Sequence, residues 1–270
     1  MTTFGFIGTG HMGEMLVRKF VETGAIEAKD ILASNRTPEK TERLAKATGI
    51  RPESNRLVAE LCDLIFLCVR PLQVRDVLLE LGNLLTPEKL LVSVAGDVSL
   101  SALQSLCQSR VALALPSMAS ERLQGMTLLA FGDNTTIADR RLVNGLFDAI
   151  GDVVEVNETD FGILADLTSS GPGYLAALIS EFVLAAERKA IPVELAERLV
   201  KQTLIGTALL LKETSFQDLI ASIATKGGIT EAGVSVIQRD APEMFDQLFT
   251  ATEARHELVK RRLGGQSISK

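Results

Sequence analysis

Phe4-Gly5-Phe6-Ile7-Gly8-Thr9-Gly10-His11-Met12-Gly13 stands at the start of the chain, and the order of its residue types decides how the first half folds. Residues 4–8 read as a short buried strand. From 12 to 23 the apolar side chains Met12, Met15, Leu16 and Phe20 recur at the spacing of one helix face. Between them lies G-x-G-x-x-G. Glycine patterns of this kind arise easily by chance, but one that follows a strand and opens a helix has a physical job. The first glycine permits a tight turn, the second lets backbone come close to a pyrophosphate, and the third lets helix and strand pack tightly. The N–H groups of the helix terminus face the anion. Gly8, Thr9, Gly10, His11, Met12 and Gly13 are therefore candidate dinucleotide-binding residues.

Outward from this turn, strands are expected at 31–34, 64–69, 90–94, 111–115, 126–130 and 153–156, with helices at 38–48 and 72–81. Strands alternating with helices at this interval imply crossover connections and a parallel sheet covered on both faces. The first half is thus read as an α/β Rossmann domain with a mostly parallel sheet. After Asn157 the strand pattern ends, placing a boundary near 157–162. The expected domains are 1–158, binding the dinucleotide, and 159–270, all-α. Two helices of the second half, 174–189 and 196–212, carry apolar residues on more than one face, with Leu204, Ile205, Leu209, Leu210 and Leu211 crowded together. Such helices have to be buried. Association of subunits would bury them, and a tight monomeric bundle is the alternative.

The 270 residues are 46% hydrophobic and carry a formal net charge of -6, without a basic stripe. Nucleic acid is excluded as an expected partner. The three cysteines, Cys62, Cys68 and Cys107, form no C-x-x-C pair and no metal-ligand spacing with a histidine, so they are read as buried free thiols and no metal site is expected. Neither a basic leader nor an apolar run of about 18 residues occurs. The expectation is a cytoplasmic protein without membrane spans.

Cofactor choice is read at the end of the second strand, where NAD enzymes place an acid for the ribose 2′-hydroxyl. Here stands Ala33-Ser34-Asn35-Arg36-Thr37, with no carboxylate. Arg36 offers a planar fork to a 2′-phosphate, with Ser34 and Asn35 beside it, which favours NADP with NADPH as hydride donor. A merely solvated Arg36 would leave the preference open.

Bases suited to alcohol oxidation are scarce. His11 lies in the glycine turn, and His256 lies among charges in the last helix, where a structural or surface role is expected. Tyr174 is the single tyrosine, and Leu178 stands four residues on, where short-chain dehydrogenases carry lysine. Reduction of a protonated imine asks less, mainly positioning and a polar contact at nitrogen. Two turns in the second half suit such a site: Thr168-Ser169-Ser170-Gly171-Pro172-Gly173-Tyr174 and Thr225-Lys226-Gly227-Gly228-Ile229-Thr230-Glu231-Ala232-Gly233. N–H groups of the second could bind a carboxylate, with the Thr230 hydroxyl beside it. Both could equally be ordinary N-caps.

Taken together, Phe6-Ile7-Gly8-x-Gly10-x-Met12-Gly13, Ser34-Asn35-Arg36, Val69-Arg70-Pro71-x-Gln73, Ser170-Gly171-Pro172-x-Tyr174 and Gly227-Gly228-x-Thr230 followed by Ala232-Gly233 resemble pyrroline-5-carboxylate reductase over essentially the whole chain. The resemblance implies reduction of a cyclic imino acid to proline with NADPH or NADH. It also implies a homodimer or higher homo-oligomer built through the helical domain. Carried over, Val69, Arg70, Pro71 and Ala95 join the cofactor residues. Gly227, Gly228, Ile229, Thr230 and Glu231 hold the substrate, Thr230 reaches the imine nitrogen, and Ser170 lies at the pocket wall. The chain departs from the family pattern at Arg70-Pro71-Leu72-Gln73, Leu115-Pro116-Ser117, Lys226 and Glu231. Lys226 and Glu231 are expected to pair with each other at the surface, the alternative being that Glu231 meets a cationic group on a different substrate. Reduction of a different imine, or a catalytically weak NADP-binding paralogue that acts through a partner, are the alternatives to proline formation.

Overall fold

The computed structural model describes residues 2–265. In chain order the strands are β1 (Phe4–Ile7), β2 (Ile31–Ser34), β3 (Arg51–Pro52), β4 (Leu64–Leu67), β5 (Leu90–Ser93), β6 (Arg110–Pro116), β7 (Gly125–Phe131) and β8 (Gly151–Glu155). The helices threaded between and after them are α1 (His11–Glu22), α2 (Pro38–Thr48), α3 (Asn55–Leu61), α4 (Pro71–Leu81), α5 (Leu100–Leu106), α6 (Ile137–Asp148), α7 (Phe161–Thr168), α8 (Gly171–Glu187), α9 (Val193–Leu210), α10 (Phe216–Ile223) and α11 (Ile229–Gly265). Among the described residues no strand follows β8, as the change of pattern after Asn157 implies.

The strands form one sheet in the order β3-β2-β1-β4-β5-β6-β7-β8. Every neighbouring pair is parallel except β6 and β7, so the expectation of a mostly parallel Rossmann-type sheet holds. β1, β2, β4 and β5 are buried at every position, the pattern of a sheet covered on both faces. Alternate residues feed two cores. One face sends Phe6, Ala33, Phe66 and Val92 toward Leu16 and Phe20 of α1, Leu44 of α2 and Phe147 of α6. The other sends Ile7, Leu32, Ile65 and Leu91 toward Val58 of α3, Val74 and Leu78 of α4, Leu103 of α5 and Phe161 of α7. Phe6 and Phe66 stack with ring centroids 4.7 Å apart, and Phe147 meets Phe66 edge-on at 6.0 Å.

Three helices of this sheet domain, α3, α5 and α6, were not expected from sequence, nor was the two-residue β3. Of the cysteines, only Cys62 is buried outright; Cys68 and Cys107 are half-buried, and all three are free thiols. Burial pushes the Cys62 and Cys68 thiols up to about 12, so neither is ionised near neutral pH.

The chain divides into two compact units, Met1–Gly171 with Glu253–Lys270, and Pro172–Thr252. Taken alone, the second unit is a set of helices with little interior. Val183 and Ala196 are its buried apolar side chains, whereas Phe182, Ile205, Leu209, Phe216 and Ile237 are each more than half exposed. No helix among the described residues is long and apolar enough to cross a membrane.

Candidate active site

Strand order reverses between β1 and β4, whose chain neighbours run to opposite sides of the sheet. In open α/β sheets the ligand crevice lies there, at the carboxyl ends of the strands. The glycine turn occupies this position. Gly8 has φ +101 and closes onto β2 through its N–H to the Ser34 carbonyl at 2.9 Å. A Cβ on Gly8 would lie 2.6 Å from the Cys68 carbonyl oxygen, and one on Gly13 would lie 2.1 Å from the Gly8 carbonyl oxygen. Those two glycines are required by the turn's own packing. At Gly10, by contrast, an added Cβ would meet nothing within 4 Å. Nothing in the chain itself requires Gly10 to be bare, and the open space beside its backbone would admit a pyrophosphate. His11 begins α1 exposed, and Met12 is half-buried against the core.

Beside the turn, Thr9 is buried and its hydroxyl lies 3.2 Å from that of Thr41. Asn35 Nδ2 donates to Thr9 Oγ1 at 2.9 Å, tying the end of β2 to the turn. Arg36 projects into solvent at the edge of a groove of about 510 Å³ that Ser34, Asn35, Asn55 and Glu80 also line. The buried Ser34 hydroxyl donates to Asn55 Oδ1 at 2.7 Å, and Asn55 Nδ2 donates to both oxygens of Glu80 at 3.3 Å. Asn55 and Glu80 were not expected here. The signal was Ser54, whose side chain caps α3 by accepting the Leu57 N–H.

Val69, Arg70 and Pro71 follow β4, with Arg70 as N-cap of α4 and Pro71 in its first turn. Val69 lies against the glycine turn, since a Cβ on Gly8 would come 3.2 Å from its Cγ1. Ala95 is buried after β5, and its N–H donates to Ser93 Oγ at 3.3 Å. The structure thus gathers the glycine turn, Ser34, Asn35, Arg36, Val69, Arg70, Pro71 and Ala95 at the carboxyl ends of β1, β2, β4 and β5.

A cavity of about 420 Å³ opens past Ala95. Ser169, whose hydroxyl donates to the Pro116 carbonyl at 3.4 Å, lines it; Ser170, expected at the pocket wall, is half-buried next door and sends its N–H to the Ala165 carbonyl at 3.0 Å. His256 also lines it, and of the two roles expected for it, structural or surface, its half-buried ring takes the structural one. Its Nδ1 lies 2.8 Å from Asp97 Oδ1 and its Nε2 lies 3.4 Å from Asp166 Oδ1. Burial alone would lower its pKa, but the hydrogen bonds and charges of Asp97, and then of Asp166, raise it on balance.

The turn before α11 lies in the other unit. Thr230 and Ile229 are exposed in its first turn. Gly227, at φ +77, donates its N–H to Glu231 Oε2 at 2.6 Å, and Gly228 donates to the Thr225 carbonyl at 2.9 Å. Glu231 therefore bonds backbone, and the expected Lys226–Glu231 ion pair is not formed among the described residues.

Comparison with known proteins agrees with this geometry. A family model described as NADP oxidoreductase coenzyme F420-dependent matches residues 3–96, and one described as pyrroline-5-carboxylate reductase dimerisation matches residues 158–258. The chain is 30% identical over 274 residues to pyrroline-5-carboxylate reductase 3 of Bacillus subtilis (strain 168), covering 99% of this chain and 100% of that one. Among solved structures, a pyrroline-5-carboxylate reductase from Coxiella burnetii superposes with a TM-score of 0.88 at 27% identity, covering 96% of this chain and 98% of the other. Plasmodium falciparum pyrroline carboxylate reductase, solved with NADP bound, shares the fold with a TM-score of 0.83 at 24% identity, covering 96% and 97%. With a relative this similar along its whole length, the chain belongs to the pyrroline-5-carboxylate reductase family and is an NAD(P)H-dependent oxidoreductase.

Proposed function

We propose that the protein reduces 1-pyrroline-5-carboxylate to proline with NADPH as hydride donor. The observation that carries the reading is Gly10, bare of contacts at the strand-order reversal where a dinucleotide's pyrophosphate would approach. Gly8 to Gly13 would hold the pyrophosphate with backbone amides, and Arg36, with Ser34 and Asn35, would hold the 2′-phosphate. Val69, Arg70, Pro71 and Ala95 would flank the nicotinamide, which supplies the hydride when bound. Thr230 would bond the imine nitrogen, Ser170 would line the substrate pocket, and Gly227, Gly228, Ile229 and Glu231 would form the substrate turn. The relatives named as pyrroline-5-carboxylate reductases support this substrate.

The division at 158/159 into a nucleotide-binding domain and a helical dimerisation and substrate domain belongs to the same proposal. So does a homodimer through that helical domain. The dimerisation match over 158–258 and the exposed faces of α8 to α11 support both. Exposed Phe182 and Phe216 are side chains whose burial is worth roughly 1.5–3 kcal/mol each.

A second reading, reduction of a cyclic imine without a carboxylate, is favoured by one observation: Glu231 already occupies the Gly227 N–H. Assaying NADPH oxidation with 1-pyrroline-5-carboxylate and with 1-pyrroline separates the two. Turnover of the first imine supports the primary reading, and turnover confined to the second replaces it.

A further inference from the structure

The most concentrated group of titratable side chains outside the nucleotide turn is Asp97, Asp166 and His256. Three elements bring it together. Asp97 follows Gly96 in the turn after β5, Asp166 lies on α7, and His256 lies near the end of α11. The side chains are 17%, 3% and 25% exposed respectively, so the group runs from a buried carboxylate to one that lines the cavity past Ala95. Asp97 also holds φ +62, a left-handed conformation uncommon outside glycine.

An imidazole with a carboxylate at each nitrogen satisfies both only when both nitrogens carry protons. As imidazolium, His256 offsets the buried Asp166 and orients Asp97 through one oxygen. The other oxygen of Asp97 has no hydrogen-bond partner among the described residues. Two further charged groups line the cavity. Glu158 is committed to the Leu100 N–H at 2.7 Å, and Lys260, more than half exposed, lies 4.0 Å from Glu257. The lining carboxylates, Asp97 and Glu158, match the lining cations, His256 and Lys260, in number, and the Asp97 oxygen left without a partner suits a small cation.

We propose that Asp97 is the counter-ion of a cationic ring nitrogen in this cavity: the protonated imine before hydride transfer and the ammonium of the product amine afterwards, with His256 and Asp166 as its positioning residues. The inference rests on the reductase reading and adds to it a recognition group. Asp97 exchanges no proton; its charge keeps the imine in the protonated, electrophilic form.

The test compares two ligands of equal ring size and equal carboxylate, proline and cyclopentanecarboxylate, titrated into the NADP-bound protein at pH 7.5. One carries the ring cation and the other does not. A counter-ion at a partly exposed site predicts proline binding about tenfold tighter in the wild type. Asp97→Asn should bring the two within about threefold while NADPH affinity stays unchanged, and Asp97→Glu should restore part of the preference; Asp97→Ser replaces Asp97→Asn if the latter does not fold. Equal affinity of the wild type for the two ligands, a preference that survives loss of the carboxylate, or a loss of NADPH affinity in Asp97→Asn overturns the assignment. Failure of the reductase reading looks different: no cyclic imine supports NADPH oxidation, whereas the ligand preference still reports on Asp97.

Discussion

Gly227 gives its N–H to the Glu231 carboxylate at 2.6 Å, so a side chain of this protein bonds the amide proposed to receive the substrate carboxylate. Glu231 is exposed and the bond is local, worth about 1 kcal/mol net by the usual measure for such contacts. Glu231→Ala should therefore lower KM for 1-pyrroline-5-carboxylate by roughly three- to tenfold, by freeing the amide and removing a like charge. KM for 1-pyrroline, which has no carboxylate, should stay put. Steady-state kinetics with both imines checks this, and equal shifts for the two would remove Glu231 from the anion site.

The three glycines of the nucleotide turn should respond differently to the same substitution. At Gly13 a methyl group would lie 2.1 Å from the Gly8 carbonyl oxygen, which cannot yield without opening the turn. Gly13→Ala should cost about 2–3 kcal/mol of stability along with cofactor binding. Gly10→Ala meets open space, so its unfolding free energy should stay within about 0.5 kcal/mol of wild type while NADPH affinity falls steeply. Denaturant titration beside nucleotide titration reads both, and a Gly10→Ala protein that binds NADPH normally would argue against the pyrophosphate approach.

Arg36 stands exposed at the rim of the groove beyond β2. A guanidinium that meets a 2′-phosphate there makes a charge-assisted contact worth about 1.5–3 kcal/mol. Arg36→Ala should weaken NADPH binding about ten- to hundredfold and leave NADH nearly unchanged. Calorimetric titration with the two nucleotides decides it; equal losses would assign Arg36 to solvent.

His256 makes a pH prediction whose sign follows from its two carboxylate partners. Its folded pKa is raised above the ordinary value of 6.5, so the proton binds the folded state more tightly than the unfolded one. The resulting stabilisation is fully present below the unfolded pKa and is lost as pH rises through the folded pKa. A thermal-unfolding series on wild type and His256→Gln should show the largest gap in midpoint at pH 5.5–6, narrowing steadily toward pH 9. A gap that is constant or widens with pH would contradict the imidazolium assignment.

Much of this fold could be read from the chain because its signals are local. β2 and α2 fall where their patterns end, at Ser34 and behind Thr37-Pro38, and the glycine turn announces β1 and α1. The helices that escaped notice are short or open on charged residues. α3 and α5 are seven residues each and bury only Val58 and Ala59, or only Leu103, while α6 spends its first half on Asp139, Arg140 and Arg141 before Val143 and Phe147 reach the core. The Asp97–His256 contact joins residues 159 apart. No local pattern encodes such a meeting; it exists only once β5 and the end of α11 are in place. Glu231 was visible as a departure, but its partner was not, because whether a carboxylate at that position turns to Lys226 or to backbone depends on the geometry of the turn.

The proposed reduction depends on the glycine turn as a seat for a phosphorylated dinucleotide. The most direct trial is titration of the purified wild-type protein with NADPH, followed by nicotinamide fluorescence, in parallel with NADH. Saturable binding with NADPH the tighter of the two is the result expected, and no affinity for either nucleotide would contradict the assignment at its root.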